Sequence, residues 1–99
     1  MGKAWPVKVR YTRRTLQQLT EILVYIDTRS PQGAQKVKKR LWTVIDGLVE
    51  YPNSGRATNK AGIRRVLANP YPYVIFYHPG ETEIVIHGIR HAARRPARQ

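Results

Sequence analysis

The stretch of sequence that decides the fold is residues 73–89, which read YVIFYHPGETEIVIHGI. Its first five residues are all aromatic or β-branched, a composition that favours a β-strand. Pro79-Gly80-Glu81 has the composition of a turn, and a second run, Glu83–Ile89, follows it with three consecutive apolar residues near its start. Two strand-forming runs on either side of a short turn predict a β-hairpin.

Two amphipathic helices are predicted between the N-terminus and this hairpin. The first begins after Thr12 and the second after Ser30, with Pro31 as its first residue, because Thr and Ser hydroxyls accept hydrogen bonds from first-turn amides and Pro is well tolerated at the first helical position. The second helix is expected to end at Tyr51-Pro52, since the residue before a proline avoids the α region. The apolar stripes that recur at helical spacing are Leu16, Leu19, Ile22, Leu23 and Ile26, and then Ala34, Val37, Leu41, Val44, Ile45 and Leu48.

The segments that flank the helices supply the remaining strands. Residues 5–11 alternate between apolar and basic side chains, which predicts a strand with one solvated face. Residues 56–62 are predicted to be a polar loop and residues 63–67 a short strand. The order β-α-α-β-β-β predicts an α+β fold, with a helical hairpin packed on a mostly antiparallel four-stranded sheet. We expect one domain over 1–99, with a folded core at 5–96 and a frayed end at 97–99.

Composition limits the classes of function. Eighteen Lys and Arg against six Asp and Glu give a net charge of +12 on 99 residues, while 41% hydrophobic residues is ordinary for a globular domain. The absence of Cys excludes disulfides, thiolate metal sites and Cys nucleophiles. No apolar run approaches the ~20 residues of a bilayer span, and the start has no apolar signal region, so we expect a cytoplasmic protein. Its partner is expected to be anionic, either nucleic acid or an acidic protein.

Two arginine-rich clusters are the candidate binding surfaces. Arg presents a planar fork of donors that suits phosphate and carboxylate groups, whereas the Lys-rich cluster at 36–40 is typical of a solvated helix face. The first cluster lies in the predicted loop and second strand, and the other in the last strand and tail. They comprise Arg56, Lys60, Arg64 and Arg65, and then Arg90, Arg94, Arg95 and Arg98.

His91 and Trp42 each allow two interpretations. His91 stands among Arg residues, where an imidazole could act as a general acid or base in RNA cleavage, but the residues alone favour a histidine that holds the tail by a hydrogen bond. Trp42 is either the edge of the core or an exposed anchor for a partner. No metal or cofactor is expected, because His87 has neither Cys nor carboxylate nearby in sequence and no Gly-rich phosphate loop is present.

The order β-α-α-β-β-β resembles the RelE/ParE superfamily of bacterial toxins, often labelled plasmid stabilisation proteins, and the residues that carry the resemblance lie in the second half of the chain. Four motifs carry the resemblance through their order and spacing, and the closing His-x-x-Arg-x-Pro is the most specific. The resemblance extends from Val7 to Pro96. The motifs are Ser54-Gly55-Arg56, Gly62-Ile63-Arg64, the strand 72–77, and Ile84-Val85-Ile86 with Ile89-Arg90-His91-Ala92-Ala93-Arg94-Arg95-Pro96.

The resemblance implies a toxin of a type II toxin–antitoxin system with one of two targets. RelE-like members cut mRNA on the ribosome, and the positions that match their catalytic groups here are His91, Arg64 and Arg56. ParE-like members bind DNA gyrase and are not nucleases. The Arg-Pro ending after His91, with no Tyr beyond Tyr77, favours the ParE-like branch, and we therefore expect growth inhibition through gyrase rather than catalysis.

The resemblance also implies a cognate antitoxin with an acidic toxin-binding segment, and hence a toxin–antitoxin hetero-oligomer. A basic domain with an amphipathic helical hairpin would attract such a segment through charge and apolar contacts. A basic nucleic-acid-binding module without toxicity is the further alternative. The residues expected to contact the antitoxin or the target are Arg65, Tyr73, Tyr77, Arg90, Arg94, Arg95 and Trp42.

Overall fold

Two helices cover one face of a sheet of five strands in the structure, a computed structural model that describes residues 7–93. The predicted α+β class is confirmed. Trp5, at the predicted start of the first strand, and the tail from residue 94 onward lie outside the described residues. The elements are β1 (Lys8–Tyr11), α1 (Arg13–Asp27), α2 (Pro31–Glu50), β2 (Arg56–Ala57), β3 (Arg64–Leu67), β4 (Tyr73–Pro79) and β5 (Glu83–His91).

The strand order is β1-β5-β4-β3-β2, so the hairpin predicted from residues 73–89 lies at the centre of the sheet. Neighbouring strands are antiparallel, except that β1 runs parallel to β5. The prediction of four strands was one short. Arg56 and Ala57, predicted to be in a loop, pair with Arg65 and Arg64 of β3. Two residues are too few to show periodicity, so only the tertiary pairing reveals this strand.

A β-bulge in β5 changes which side chains face the helices. Phe76 pairs with Gly88 but the next residue, Tyr77, pairs with Ile86, which leaves His87 without a partner on β4. An extra residue reverses the alternation of a strand beyond it. As a result Ile84 and Ile86, before the bulge, and Ile89, after it, all face the helices and are at most 1% exposed.

Both predicted helix starts are confirmed. The Thr15 N–H donates to Thr12 Oγ1 at 3.1 Å and the Gly33 N–H donates to Ser30 Oγ at 2.9 Å, which satisfies an amide left free in each first turn. Pro31 occupies the first turn of α2 as expected. The end of α2 at Glu50 also agrees with the predicted stop before Pro52.

The core lies between α2, the inner face of α1 and the sheet. Leu41, Ile45 and Leu48 of α2 are each 1% exposed and share one apolar cluster with the inward side chains of β4 and β5. Burying one such side chain contributes about 1.5–3 kcal/mol to folding. None of the helices within residues 7–93 combines the length and apolar composition needed to cross a membrane.

Leu16, predicted to be in the apolar stripe of α1, is 49% exposed. Thr15 takes the inward position instead and is fully buried. Its Oγ1 donates to the Ile86 carbonyl at 2.7 Å, beside the point where β1 ends and α1 begins. Thr15 and Leu19 are four residues apart and lie on the same inward face of α1, whereas Leu16, one position beyond Thr15, falls outside that face.

Candidate functional site

The face of the sheet opposite the helices, the open face, carries a pair of arginines around an aromatic ring. Phe76 alternates with the buried Ile75 and Tyr77 along β4 and therefore points to the open face. Arg65 of β3 is the register partner of Phe76. The guanidinium carbon of Arg90, on β5, lies 4.7 Å from the centre of the Phe76 ring. This stacking holds a planar cation flat against the sheet.

A cavity of about 610 Å³, the open-face cavity, lies where this face meets α1 and the loop before β3. Its volume is in the range of sites that hold small ligands, roughly 300–1,000 Å³. Three cations line it, Arg14, Lys60 and Arg90, and within residues 7–93 none of them has a carboxylate within 4.0 Å. The full lining is Thr12, Arg14, Gln18, Thr58, Asn59, Lys60, Ile63, Phe76, His87, Gly88 and Arg90.

The floor of the cavity depends on the contact between α1 and the edge of β5. The pairing of β1 with β5 ends at Ile86. Farther along β5 the Ile89 N–H donates to Gln18 Oε1 at 3.0 Å, so α1 provides the hydrogen-bond acceptor that a neighbouring strand would otherwise supply. A Cβ at Gly88 would lie 3.1 Å from that same oxygen, which makes a glycine the residue that fits this approach. His87, the bulged residue, is exposed and lines the cavity beside it. β-bulges often re-aim side chains in this way near functional sites.

A buried tyrosine hydroxyl anchors the segment that leads into the cavity wall. Tyr77 is fully buried, and its hydroxyl donates to the Pro52 carbonyl at 2.7 Å while accepting from the Gly55 N–H at 2.9 Å. Arg64 Nη1 donates to the Gly55 carbonyl at 2.7 Å. A Cβ at Gly55 would lie 2.6 Å from the Arg65 carbonyl oxygen. The Ser54-Gly55-Arg56 motif is therefore a tight crossing of the chain over β3 and β4.

The loop at 58–63 is closed by one threonine. Thr58 Oγ1 donates to the Ile63 carbonyl at 2.8 Å, and the Thr58 N–H donates to the same carbonyl at 3.0 Å. The Lys60 N–H donates to Thr58 Oγ1 at 3.2 Å. These bonds fix the loop backbone, so Thr58, Lys60 and Ile63 form a defined wall of the cavity.

The three residues predicted to be catalytic do not come together. His91 lies on the helix side of the sheet, edge-on to Tyr73 at 5.4 Å, and its Nδ1 accepts from the Ala93 N–H at 3.1 Å. Arg64 is paired with Tyr77, four residues along β4 from the Tyr73 that pairs with His91. This places the two roughly 13 Å apart along the strand direction alone. Arg56 is exposed on the outermost strand.

The residues predicted to contact a partner divide into four groups. Arg65 and Arg90 lie together on the open face, beside Phe76. Tyr73 and Tyr77 are 8% and 0% exposed and belong to the core. Trp42 is half-buried, packs on the core and meets Tyr11 edge-on at 5.7 Å, so the structure places it at the core edge. Arg94 and Arg95 lie outside the described residues.

Sequence reasoning did not single out Phe76, His87 or Gly88 for a site. Phe76 was counted only as a strand former, and the bulge at His87 has no sequence signal apart from the glycine that follows it. Arg14 lies outside both arginine-rich clusters that the sequence predicts as binding surfaces. No group of three or more His, Asp or Glu side chains within residues 7–93 is placed to hold a metal ion.

Among residues 7–93, the surroundings shift the pKa of two side chains, Glu83 and Tyr11. The hydrogen bond from Arg10, with Nη2 3.1 Å from the carboxylate, lowers the pKa of Glu83. Burial raises the pKa of Tyr11, and the negative charge of Asp46 adds to the effect. The Glu83 carboxylate therefore forms an ion pair with Arg10. Glu83 does not line the open-face cavity.

Comparison with known proteins identifies the family. The family described as "ParE toxin of type II toxin-antitoxin system, parDE" matches residues 9–96. The chain belongs to this ParE toxin family. A relative, Toxin RelE2 of Caulobacter vibrioides, is 44% identical to this ParE-family toxin over 87 residues, which covers 88% of this chain and 97% of that protein. The RelE/ParE superfamily predicted from the motifs is thus confirmed, and the chain is a toxin of a type II toxin–antitoxin system.

Two further matches agree with this placement. A Sinorhizobium fredii protein, Y4kP, whose name also describes a toxin, is 39% identical over 70 residues, covering 71% of this chain and 73% of that protein. The solved structure titled "Chromosomal ParDE TA system from P. aeruginosa" superposes with a TM-score of 0.75 at 20% identity and covers 86% of this chain and 95% of that chain. At this identity the superposition establishes a shared fold.

Proposed function

We propose that this ParE-family toxin arrests growth by binding DNA gyrase and that it does not cut RNA. One observation carries the proposal, namely the placement of His91. Its Nδ1 accepts a backbone hydrogen bond and its ring packs on Tyr73, on the side of the sheet away from Arg65 and Arg90. A general acid or base must reach the reacting atoms, and this imidazole is engaged elsewhere.

The experiment that tests this proposal is induced expression in bacterial cells, with and without the antitoxin encoded beside the toxin gene. We expect growth arrest with DNA-damage signalling and intact mRNA, and we expect His91→Ala to remain toxic. Arg10→Ala, which alters an exposed cation with a known surface partner, is the matched expression control. Cleavage of mRNA that disappears in His91→Ala would overturn the proposal.

The alternative is ribosome-dependent mRNA cleavage, as in the RelE-like branch. One observation favours it, the name Toxin RelE2 of the 44% identical relative. Under this alternative, mapped mRNA ends from induced cells would show cuts at ribosome-bound codons while DNA supercoiling stayed normal. If the protein is instead a basic nucleic-acid-binding module without toxicity, its induced expression should not arrest growth.

We further propose that the antitoxin neutralises this toxin through an acidic segment with apolar anchors, in the cytoplasm where gyrase acts. The net charge of +12 supports an acidic partner. Leu16 and Val24, 49% and 57% exposed on the outer face of α1, offer apolar contacts of the kind an amphipathic segment would cover.

Stopped-flow measurement of antitoxin binding at increasing salt tests whether charge sets the association rate and apolar contacts set the dissociation rate. Screening should lower the association rate steeply, because long-range attraction weakens as the Debye length shortens. The dissociation rate should change much less. A dissociation rate that rises as steeply as the association rate falls would contradict the proposed apolar anchoring.

A further inference from the structure

We propose that the open-face cavity is a binding site for a phosphate group carried by a nucleotide-sized ligand. This inference goes beyond the gyrase interaction proposed above, and its test does not depend on the toxin's target. The observations that carry it are the charges that line the cavity, the rigidity of its walls and its size.

The first observation is an uncompensated cluster of positive charge. Arg14 comes from α1, Lys60 from the loop and Arg90 from β5, so three separate elements place cations around one cavity. Within residues 7–93 the ion pair found is Arg10–Glu83, which lies outside this lining. Three like charges around one space repel each other, and a bound anion converts that repulsion into attraction.

The second observation is that the donors are held in place before a ligand arrives. The Arg90 guanidinium carbon lies over the Phe76 ring, which restrains the side chain, and the planar guanidinium can donate two parallel hydrogen bonds to a phosphate. Gln18 uses its oxygen to accept from the Ile89 N–H, so its amide nitrogen is the group that remains to donate. The bonds of Thr58 fix the backbone that carries Lys60.

The third observation concerns the rest of the ligand. A volume of about 610 Å³ exceeds what a phosphate ion alone would occupy and suits one nucleotide. Aromatic rings and guanidinium planes both stack on nucleobases, and the neighbouring Phe76 and Arg90 side chains supply one of each. α1 on one side and the 58–63 loop on the other bound the cavity, which favours a single nucleotide over a continuous strand.

The test uses the purified full chain and four probes: inorganic phosphate, adenosine, adenosine monophosphate and a single-stranded RNA decamer. Binding is followed by calorimetry and by the rise in melting temperature that ligand binding to the folded state produces. Adenosine monophosphate should bind at one site and more tightly than phosphate, while adenosine should bind at least tenfold more weakly. If the decamer binds tighter than the mononucleotide through the same residues, the phosphate source is a polynucleotide and the phosphate site stands.

Matched variants separate a defined site from diffuse attraction. Arg14→Ala and Lys60→Ala should each weaken the binding of adenosine monophosphate roughly tenfold, because each removes a charge-assisted hydrogen bond. Arg13→Ala and Lys38→Ala are the matched controls: each removes one positive charge of the same residue type, but from outside the cavity lining. Each should change the affinity for adenosine monophosphate less than twofold. Equal losses in all four variants, or no saturable binding of phosphate or nucleotide, would overturn the proposal.

Two variants examine the stacking surface. Phe76→Leu should weaken the binding of adenosine monophosphate more than that of inorganic phosphate, because the nucleotide loses its stacking partner whereas phosphate loses only the restraint on Arg90. Arg90→Lys keeps the charge and loses the planar fork, so it should weaken the binding of both adenosine monophosphate and inorganic phosphate. Unchanged binding in Arg90→Lys would contradict the assignment of Arg90 as a phosphate ligand. Far-UV circular dichroism of each variant confirms that it is folded.

Discussion

The Tyr77 hydroxyl offers the sharpest test of how the chain holds the segment that leads to the cavity. Tyr77→Phe removes one oxygen and keeps the ring, so the packing of the core is preserved. It takes away the acceptor 2.9 Å from the buried Gly55 N–H and the donor 2.7 Å from the Pro52 carbonyl. A buried polar group without a partner costs about 1–3 kcal/mol, so we expect the free energy of unfolding to fall by about 2 kcal/mol.

Urea and thermal denaturation followed by far-UV circular dichroism measure this change. A domain of this size unfolds in a single cooperative transition, and about 2 kcal/mol corresponds to a melting temperature lower by roughly 8–16 °C. Tyr51→Phe is the matched control, because Tyr51 is 67% exposed and should change stability by less than about 0.5 kcal/mol. A loss below about 0.5 kcal/mol in Tyr77→Phe would refute the role given to the hydroxyl.

Three further predictions concern stability. Gly55→Ala should destabilise the fold by more than about 1 kcal/mol in urea denaturation, because the new Cβ would lie 2.6 Å from a backbone carbonyl oxygen; an unchanged midpoint would contradict this crowding. Leu41→Ala should cost about 2–5 kcal/mol whereas Leu16→Ala should cost less than about 0.5, since their side chains are 1% and 49% exposed, and equal costs would contradict this difference in burial. Arg10 lowers the pKa of Glu83, so this pair stabilises the fold above the ordinary carboxyl value of 4.5 and the contribution is lost as pH falls through the lower folded value. The melting temperature of Glu83→Gln should therefore lie below that of wild type at pH 6 and converge with it on acidification, and a difference independent of pH would contradict the ion pair.

The parts of the fold that sequence reasoning predicted are those that local chemistry determines. The hairpin at 73–89 follows from two strand-forming runs and the turn at Pro79-Gly80. The helix starts follow from Thr12 and Ser30, whose hydroxyls act within their own first turns. Each of these features depends on residues within a few positions of one another, so a single sequence suffices to find them.

The features that sequence reasoning missed depend on partners far along the chain. Leu16 fits the apolar stripe, but Thr15 is the buried residue, its hydroxyl bonded to the Ile86 carbonyl on the distant strand β5, and Leu16 lies outside. Adjacent residues of a strand point to opposite faces, and because the bulge at His87 reverses the alternation of β5, Arg90 falls on the open face and His91 on the helix side. This reversal is the physical reason that His91 and the open-face arginines, which are close in sequence, do not form one site.

The central claim is that this ParE-family toxin acts by binding gyrase without an acid–base residue at His91. The most direct measurement is the ATP-dependent supercoiling of relaxed plasmid by purified gyrase, titrated with wild-type toxin and with His91→Ala. We predict that both proteins inhibit supercoiling with midpoints within about threefold, and that neither cleaves mRNA in a translating extract. Full supercoiling activity at saturating toxin, together with cleavage of ribosome-bound mRNA by wild type alone, would contradict the claim.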